Sequence, residues 1–312
     1  MERKLNLMKH LKKKKVGLVL GSGSAKGLAH IGVIKLLEEM DIKIDVIAGT
    51  SIGALIGGIY TTGISIEEIE DIALKIDLAT SVKFFFPTIP KSGLISGLKV
   101  KEFLISLIGD KKIENLKIPF SAVATDIITG HEVIFNEGNL VDAIRASISI
   151  PIIFKPVIHN DIILVDGGIA NPLPIDVVRK MGAEFIIAVN VMPSLNKTSK
   201  VDNYYDSQNS SHLPEIKSIL QRKLEELSID HKWLKKFLTH KEKQDIPGLK
   251  KIFNQSVHIA EQKLIELSIK LYKPDILIEP NITFAGRFDF YKAKEIIEKG
   301  YKSAHATFNK NK

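Results

Sequence analysis

Two short apolar runs, Val16–Leu20 (VGLVL) and residues 44–48 (IDVIA), each lead through a glycine-bearing turn into a helical pattern. Runs of this length and β-branched content are expected for strands buried on both faces of a sheet. After the first, residues 21–27 form a turn, and residues 28–40 place Leu28, Ile31, Ile34, Leu37 and Met40 on one helical side. After the second, residues 52–60 form another helix. A β-α-β-α order calls for a parallel sheet with helices on its faces. With 45% hydrophobic residues in 312, the chain can bury the core such a fold needs, as one large domain or two smaller ones.

Further along, residues 65–76 are helical by period, with Ser65 and Glu68 at capping-box spacing. Residues 80–98 contain Pro, Gly and three successive phenylalanines at 84–86, and read as a partly apolar loop. A helix is expected over 100–108, strands over 120–124 and 132–135, and a short helix over 140–147 before Pro151. Residues 162–165 form a strand that delivers Asp166, and residues 185–191 another. The stretch 194–213 is polar and loop-like. Two amphipathic helical patterns follow, at 216–238 and 249–271; the second has its apolar stripe at Leu249, Phe253, Val257, Ala260, Leu264, Leu267 and Leu271. A strand at 275–278 and a helix over 291–300 close the chain. The expected organisation is a basic arm at 1–15, a core at 16–180, and residues 181–312 as the C-terminal part of the same domain.

The absence of cysteine excludes disulfides, thiol catalysis and zinc-thiolate sites, and fits a reducing, cytoplasmic setting. The formal net charge of +8 favours anionic partners. Much of it lies in residues 1–15, a basic segment that either lies on anionic lipid as an amphipathic helix or serves as a solubilising arm. The apolar segment after it is interrupted by Gly-Ser-Gly-Ser, which argues against a signal peptide. No charge occurs between Asp45 and Glu67, a span long enough on paper for a bilayer. Its Gly, Ser and Thr content and strand-like start favour a soluble strand and helix instead.

The chemistry is carried by three motifs. Gly49-Thr50-Ser51-Ile52-Gly53 stands between a strand and a helix, the setting of a nucleophile elbow, where a strained turn lifts the serine hydroxyl clear of the sheet. A plain serine cap on a tightly packed helix would look the same. Gly21-Ser22-Gly23-Ser24-Ala25-Lys26-Gly27 opens the first helix, and its backbone N–H groups suit either a phosphate or an oxyanion. It lacks the Gly-Lys-[Ser/Thr] of a P-loop, and its third glycine falls one residue late for a dinucleotide fingerprint. Asp166-Gly167-Gly168 ends a strand, so the carboxylate can enter a site while the backbone turns away. No histidine has a comparable setting: His30 is in the first helix, and His131 and His159 are at strand edges. Asp166 is therefore the expected base for Ser51.

This ordered set of motifs resembles the patatin-like phospholipase family, in particular its bacterial branch related to the neuropathy-target-esterase catalytic domain. The stretches GLAHIGVIKLLEE, IPFSAVATDI, AIRASISIPIIFKPV and LVDGGIANPLPIDVV carry the likeness. The resemblance implies a three-layer α/β/α fold with a mostly parallel sheet and added C-terminal helices. It also implies a serine esterase acting on lipid or lysophospholipid acyl esters through an acyl-enzyme, with no cofactor, no metal and no nucleic acid. Ser51 takes the place of the nucleophile and Asp166 of the base. Gly23, Ser24, Lys26 and Gly27 take the place of the oxyanion hole, Gly49 and Gly53 flank the elbow, and Gly167 and Gly168 support the aspartate. One departure stands out: the usual glycine triplet reads Ser22-Gly23-Ser24, so a positive φ at Ser24 would bring strain. Peripheral contact with anionic membrane is expected, and oligomeric state is left open.

Overall fold

The computed structural model describes residues 13–76, 95–192 and 249–310. The phenylalanines at 84–86, the polar stretch 194–213 and the helical pattern at 216–238 lie outside these residues, as does most of the basic arm. The chain divides into two compact units, Met1–Leu195 with Ala260–Lys312, and Asn196–Ile259. In the second unit the described residues, 249–259, are helical.

In the first unit, β1 (Val16–Leu20), β2 (Val46–Thr50), β3 (Phe120–Asp126), β7 (Phe185–Val189) and β8 (Ile276–Ile278) form a parallel array. Strands β4 (Glu132–Phe135), β5 (Val157–His159) and β6 (Ile162–Asp166) add an antiparallel end. Alternate side chains of the parallel strands go to opposite faces. Leu18, Leu20, Ile47, Phe120, Ile187 and Val189 face one core. Helices α1 (Ala29–Glu39), α2 (Ile52–Thr61), α3 (Ile66–Leu74), α5 (Leu140–Ser147) and α8 (Ala293–Lys310) contribute to that core. Val19, Val46, Ala48, Ile186 and Ala188 face the other core, with α6 (Ile175–Lys180) and Ile265 of α7 (Leu249–Tyr272). Helix α4 (Leu98–Ile108) buries Leu104 and Ile108. The architecture is the expected three-layer α/β/α arrangement.

Several boundaries differ from expectation for local reasons. β2 begins at Val46 because the Asp45 carboxylate accepts the Val16 N–H at 2.9 Å, fixing Asp45 at the entrance to the strand. The second half of the glycine-rich turn is a 3-10 helix, Ser24–Leu28. The uncharged span from Asp45 to Glu67 is a strand, a turn and a helix of 10 residues. Among the described residues no helix is long and apolar enough to cross a membrane. In α7 the apolar stripe does not mark the buried side: Leu267 and Leu271 are 53% and 70% exposed, while Gln262, Ile265 and Ser268 are buried. The Ser268 hydroxyl donates to the Leu173 carbonyl at 2.9 Å, so a polar contact sets the rotation of the helix. That rotation also directs Glu261 inward, where its Oε2 accepts from Arg287.

Candidate active site

The meeting of Ser51 and Asp166 follows from how strands share β3. On one edge of β3, β2 runs opposite Phe120 to Val123, ending with Thr50 beside Val123. Beyond that point β6 takes over, with Asp166 beside Ala124. The other edge is occupied by β4, which pairs with the same residues Val123 and Ala124. Hence β2 and β6 meet end to end, and the residues at their ends, 115 positions apart, are brought together. The Ser51 hydroxyl donates to Asp166 Oδ2 at 2.6 Å, and both residues are buried.

Ser51 sits at φ 56°, ψ −121°, a conformation that costs on the order of 1–3 kcal/mol for a residue with a Cβ. The flanking glycines make the turn possible through close approach. A Cβ on Gly53 would lie 2.0 Å from the Leu20 carbonyl oxygen, and one on Gly49 2.4 Å from that of Gly53. Although Ser51 stands at the N-cap position of α2, its side chain makes no capping hydrogen bond. Helix capping is therefore not what this serine does.

Both ends of the pair are tied to the C-terminal end of α5. The Ser51 N–H donates to the Ser147 hydroxyl at 2.8 Å, which in turn donates to the Val123 carbonyl at 2.5 Å. The Asp166 N–H donates to the Ser149 carbonyl at 3.0 Å. Arg145, buried and without a carboxylate partner among the described residues, holds the Ser149 hydroxyl at 2.7 Å and stacks over Phe154. None of these roles has a local sequence signal beyond small residues before Pro151. Ser147→Ala leaves the Ser51 N–H and the Val123 carbonyl without this buried partner. It is expected to destabilise the fold by about 1–3 kcal/mol, read by urea unfolding.

The Asp-Gly-Gly turn serves the carboxylate directly. Gly168 N–H donates to Asp166 Oδ1 at 2.8 Å, and the Thr125 hydroxyl donates to the Asp166 carbonyl at 2.9 Å. A Cβ on Gly167 would lie 2.1 Å from the Val123 carbonyl oxygen, so only glycine fits between β6 and β3. Burial pushes the Asp166 carboxyl up to about 6, opposed by the hydrogen bonds from Ser51 and Gly168 and by the charge of Arg287. Nearby, burial pushes Glu261 up to about 7, against the pull of Arg287, whose guanidinium donates to Glu261 Oε2 at 3.2 Å.

The glycine-rich turn faces the elbow. Ser22 donates its N–H to the Pro172 carbonyl at 2.9 Å, and Ala25 donates to the Arg287 carbonyl at 3.0 Å. Between them, the N–H groups of Gly23 and Ser24 have no acceptor among the described residues. Ser24 does adopt positive φ, 53°, and its hydroxyl donates to the Arg287 carbonyl at 2.6 Å. That bond offsets strain of about 1–2 kcal/mol at a position where glycine would be unstrained. Gly27 packs against Ile52 of the elbow helix so closely that a Cβ would lie 2.1 Å from its side chain. Lys26 is largely buried, which lowers its pKa, with Arg287 lowering it further and Asp289 opposing. Beneath the turn, His30 Nε2 donates to the Gly21 carbonyl at 2.8 Å, and burial lowers its pKa to about 4, so the ring is neutral. His131 and His159 have no part in this cluster. Among the described residues no group of three or more His, Asp or Glu side chains is arranged to hold a metal ion.

The structure thus sets a buried serine–aspartate pair at a strand-to-helix elbow, beside a turn whose Gly23 and Ser24 N–H groups have no acceptor among the described residues. The family model for patatin-like phospholipases matches residues 18–179, and the chain belongs to that family. It is 31% identical over 321 residues to an uncharacterized NTE family protein of Mycobacterium tuberculosis, covering 92% of this chain and 89% of that protein. It is 30% identical over 310 residues to a fungal lysophospholipase NTE1 of Meyerozyma guilliermondii, covering 97% of this chain and 20% of that much longer protein. Among solved structures, VipD from Legionella pneumophila is similar with a TM-score of 0.47 and 14% identity, over 96% of this chain and 67% of that one.

Proposed function

We propose that this protein is a serine esterase that hydrolyses acyl esters of lipids, of phospholipase or lysophospholipase type. The observation that carries this reading is the 2.6 Å hydrogen bond from a strained elbow serine to a buried carboxylate. Ser51 is the nucleophile. As its oxygen attacks the ester carbonyl, Asp166 takes the proton. The negative charge that develops on the carbonyl oxygen is met by the N–H groups of Gly23 and Ser24 and by the N-terminal end of α2. Collapse returns the proton from Asp166 to the departing alkoxide and leaves the acyl group on the Ser51 oxygen. A water then gives its proton to Asp166 and attacks the acyl carbon, and Asp166 passes that proton to the Ser51 oxygen as the acyl bond breaks, releasing a fatty acid and regenerating the serine. Lys26 adds positive charge near the donor turn, and Gly27 holds that turn against the elbow helix. All of these steps use the chain's own groups.

A carboxyl pushed up to about 6 is a stronger base than an ordinary aspartate yet is mostly ionised at neutral pH. Activity therefore rises with pH through the titration of Asp166. The lysophospholipase named among the relatives supports a lysophospholipid as substrate, and the formal net charge of +8 supports meeting it at an anionic lipid surface. Fatty-acid release from lysophosphatidylcholine and from diacyl phospholipid, each presented in neutral and anionic vesicles, tests this reading. Release is expected from at least one substrate, faster from anionic vesicles, with an acid limb near pH 6. No fatty acid from any of them would remove the proposal.

A further inference from the structure

Asp166 and the glycine-rich turn are linked by a bridge that lies outside the residues matched by the family model. The Arg287 carbonyl accepts from both the Ser24 hydroxyl, at 2.6 Å, and the Ala25 N–H, at 3.0 Å. The guanidinium of the same residue donates to Glu261 Oε2 at 3.2 Å. The other Glu261 oxygen lies against Gly168, where a Cβ would come within 3.0 Å of it. Gly168 in turn donates its N–H to Asp166 Oδ1 at 2.8 Å. The loop carrying Arg287 is itself closed, because Asp289 accepts the Gly286 N–H at 3.0 Å and pairs with Lys292 at 2.9 Å.

We propose that Glu261 and Arg287 are positioning residues for the Ser51–Asp166 pair, holding the donor turn and the carboxylate base as one unit. Two carboxylates, Asp166 and Glu261, are both under the influence of one guanidinium. Arg287 also bears on Lys26, which is countered by Asp289. When Glu261 is neutral, the charge of Arg287 acts mainly on Asp166 and favours its ionised form. When Glu261 ionises, it compensates Arg287, and Asp166 becomes the stronger base. The two carboxyls thus titrate as a coupled set. This inference rests on the proposed roles of Ser51 and Asp166, and the test separates the two.

The experiment measures the rate of fluorophosphonate labelling, and kcat and KM for a chromogenic ester, against pH for the wild type, Arg287→Ala, Arg287→Lys and Glu261→Gln. Arg287→Ala keeps the main-chain carbonyl that Ser24 and Ala25 use, so it isolates the side chain. It is expected to move the acid limb up by roughly one pH unit, with about fivefold loss near pH 6, and Arg287→Lys to restore most of it. Glu261→Gln, nearly isosteric, is expected to remove the upper of two ionisations without moving the acid limb up, with the effect in kcat rather than KM. Glu261→Gln decides the matter by itself if Arg287→Ala does not fold. Wild-type pH profiles in the folded variants, or a uniform loss with no shift, would overturn the positioning roles alone. A wild type that does not label at Ser51 would instead overturn the reading of the dyad, and this proposal with it.

Discussion

Ser51→Ala is expected to abolish ester turnover, by roughly 10⁴-fold or more, while the protein stays folded. The serine hydroxyl donates to Asp166 Oδ2 from the elbow turn, the bond on which its proposed role as nucleophile rests. Its removal leaves Asp166 Oδ2 without this donor in a buried site, which costs about 1–3 kcal/mol. It also removes one of the interactions that hold the Asp166 pKa down, so the carboxyl becomes still harder to ionise. The alanine must keep φ near 56°, whereas glycine adopts that backbone freely. Ser51→Gly is therefore expected to be as inactive as Ser51→Ala but more stable, by about 1 kcal/mol. Esterase assays and urea unfolding of the pair check both statements.

Asp166→Asn is expected to lose activity on a similar scale and yet to unfold at a higher temperature than the wild type near neutral pH. Asparagine can still accept the Gly168 N–H and can donate to the Ser51 oxygen, but it cannot take a proton. The stability effect has a definite sign. The carboxyl titrates at about 6 in the folded protein against 3.8 as its ordinary value. Between those two values the folded state holds a proton that the unfolded state has released, so stability falls as pH rises through this window and levels off above it. Burying the ionised carboxylate thus costs about 3 kcal/mol at neutral pH, a penalty that asparagine removes. Melting curves should show the variant ahead by several degrees near pH 7 and level with the wild type near pH 4. A variant less stable than the wild type near pH 7 would contradict the electrostatic account of this site.

Much of the core was legible because local patterns determine it. The runs that became β1, β2 and β3 are apolar on both faces, and their alternate residues do divide between two helical layers. The Ser65 cap is also local, with its hydroxyl accepting the Glu68 N–H at 3.2 Å. What escaped the sequence was either short or non-local. β5 has three residues and α6 six, too few to establish a period. The rotation of α7 is set by Ser268 and Leu173, 95 positions apart, and overrides its apolar stripe.

The motifs pointed to Ser51 and Asp166, but the end-to-end meeting of β2 and β6 along one edge of β3 depends on strand register across the whole sheet. Nothing near Glu261 or Arg287 marks them, since a lone carboxylate in a helical pattern and a lone arginine in a loop are ordinary surface features. They are noticed only once folding buries one and aims the other at it. At Ser24 the sequence showed the hazard, a side chain where glycine is usual, but not the Arg287 carbonyl that accommodates it.

The central claim is that Ser51 attacks and forms the covalent intermediate. Mass mapping of the protein after reaction with a fluorophosphonate tests it most directly. One adduct per chain, on the peptide containing Ser51 and absent from Ser51→Ala, is the predicted result. An adduct on another residue, or an active esterase that leaves Ser51 unmodified, would contradict it.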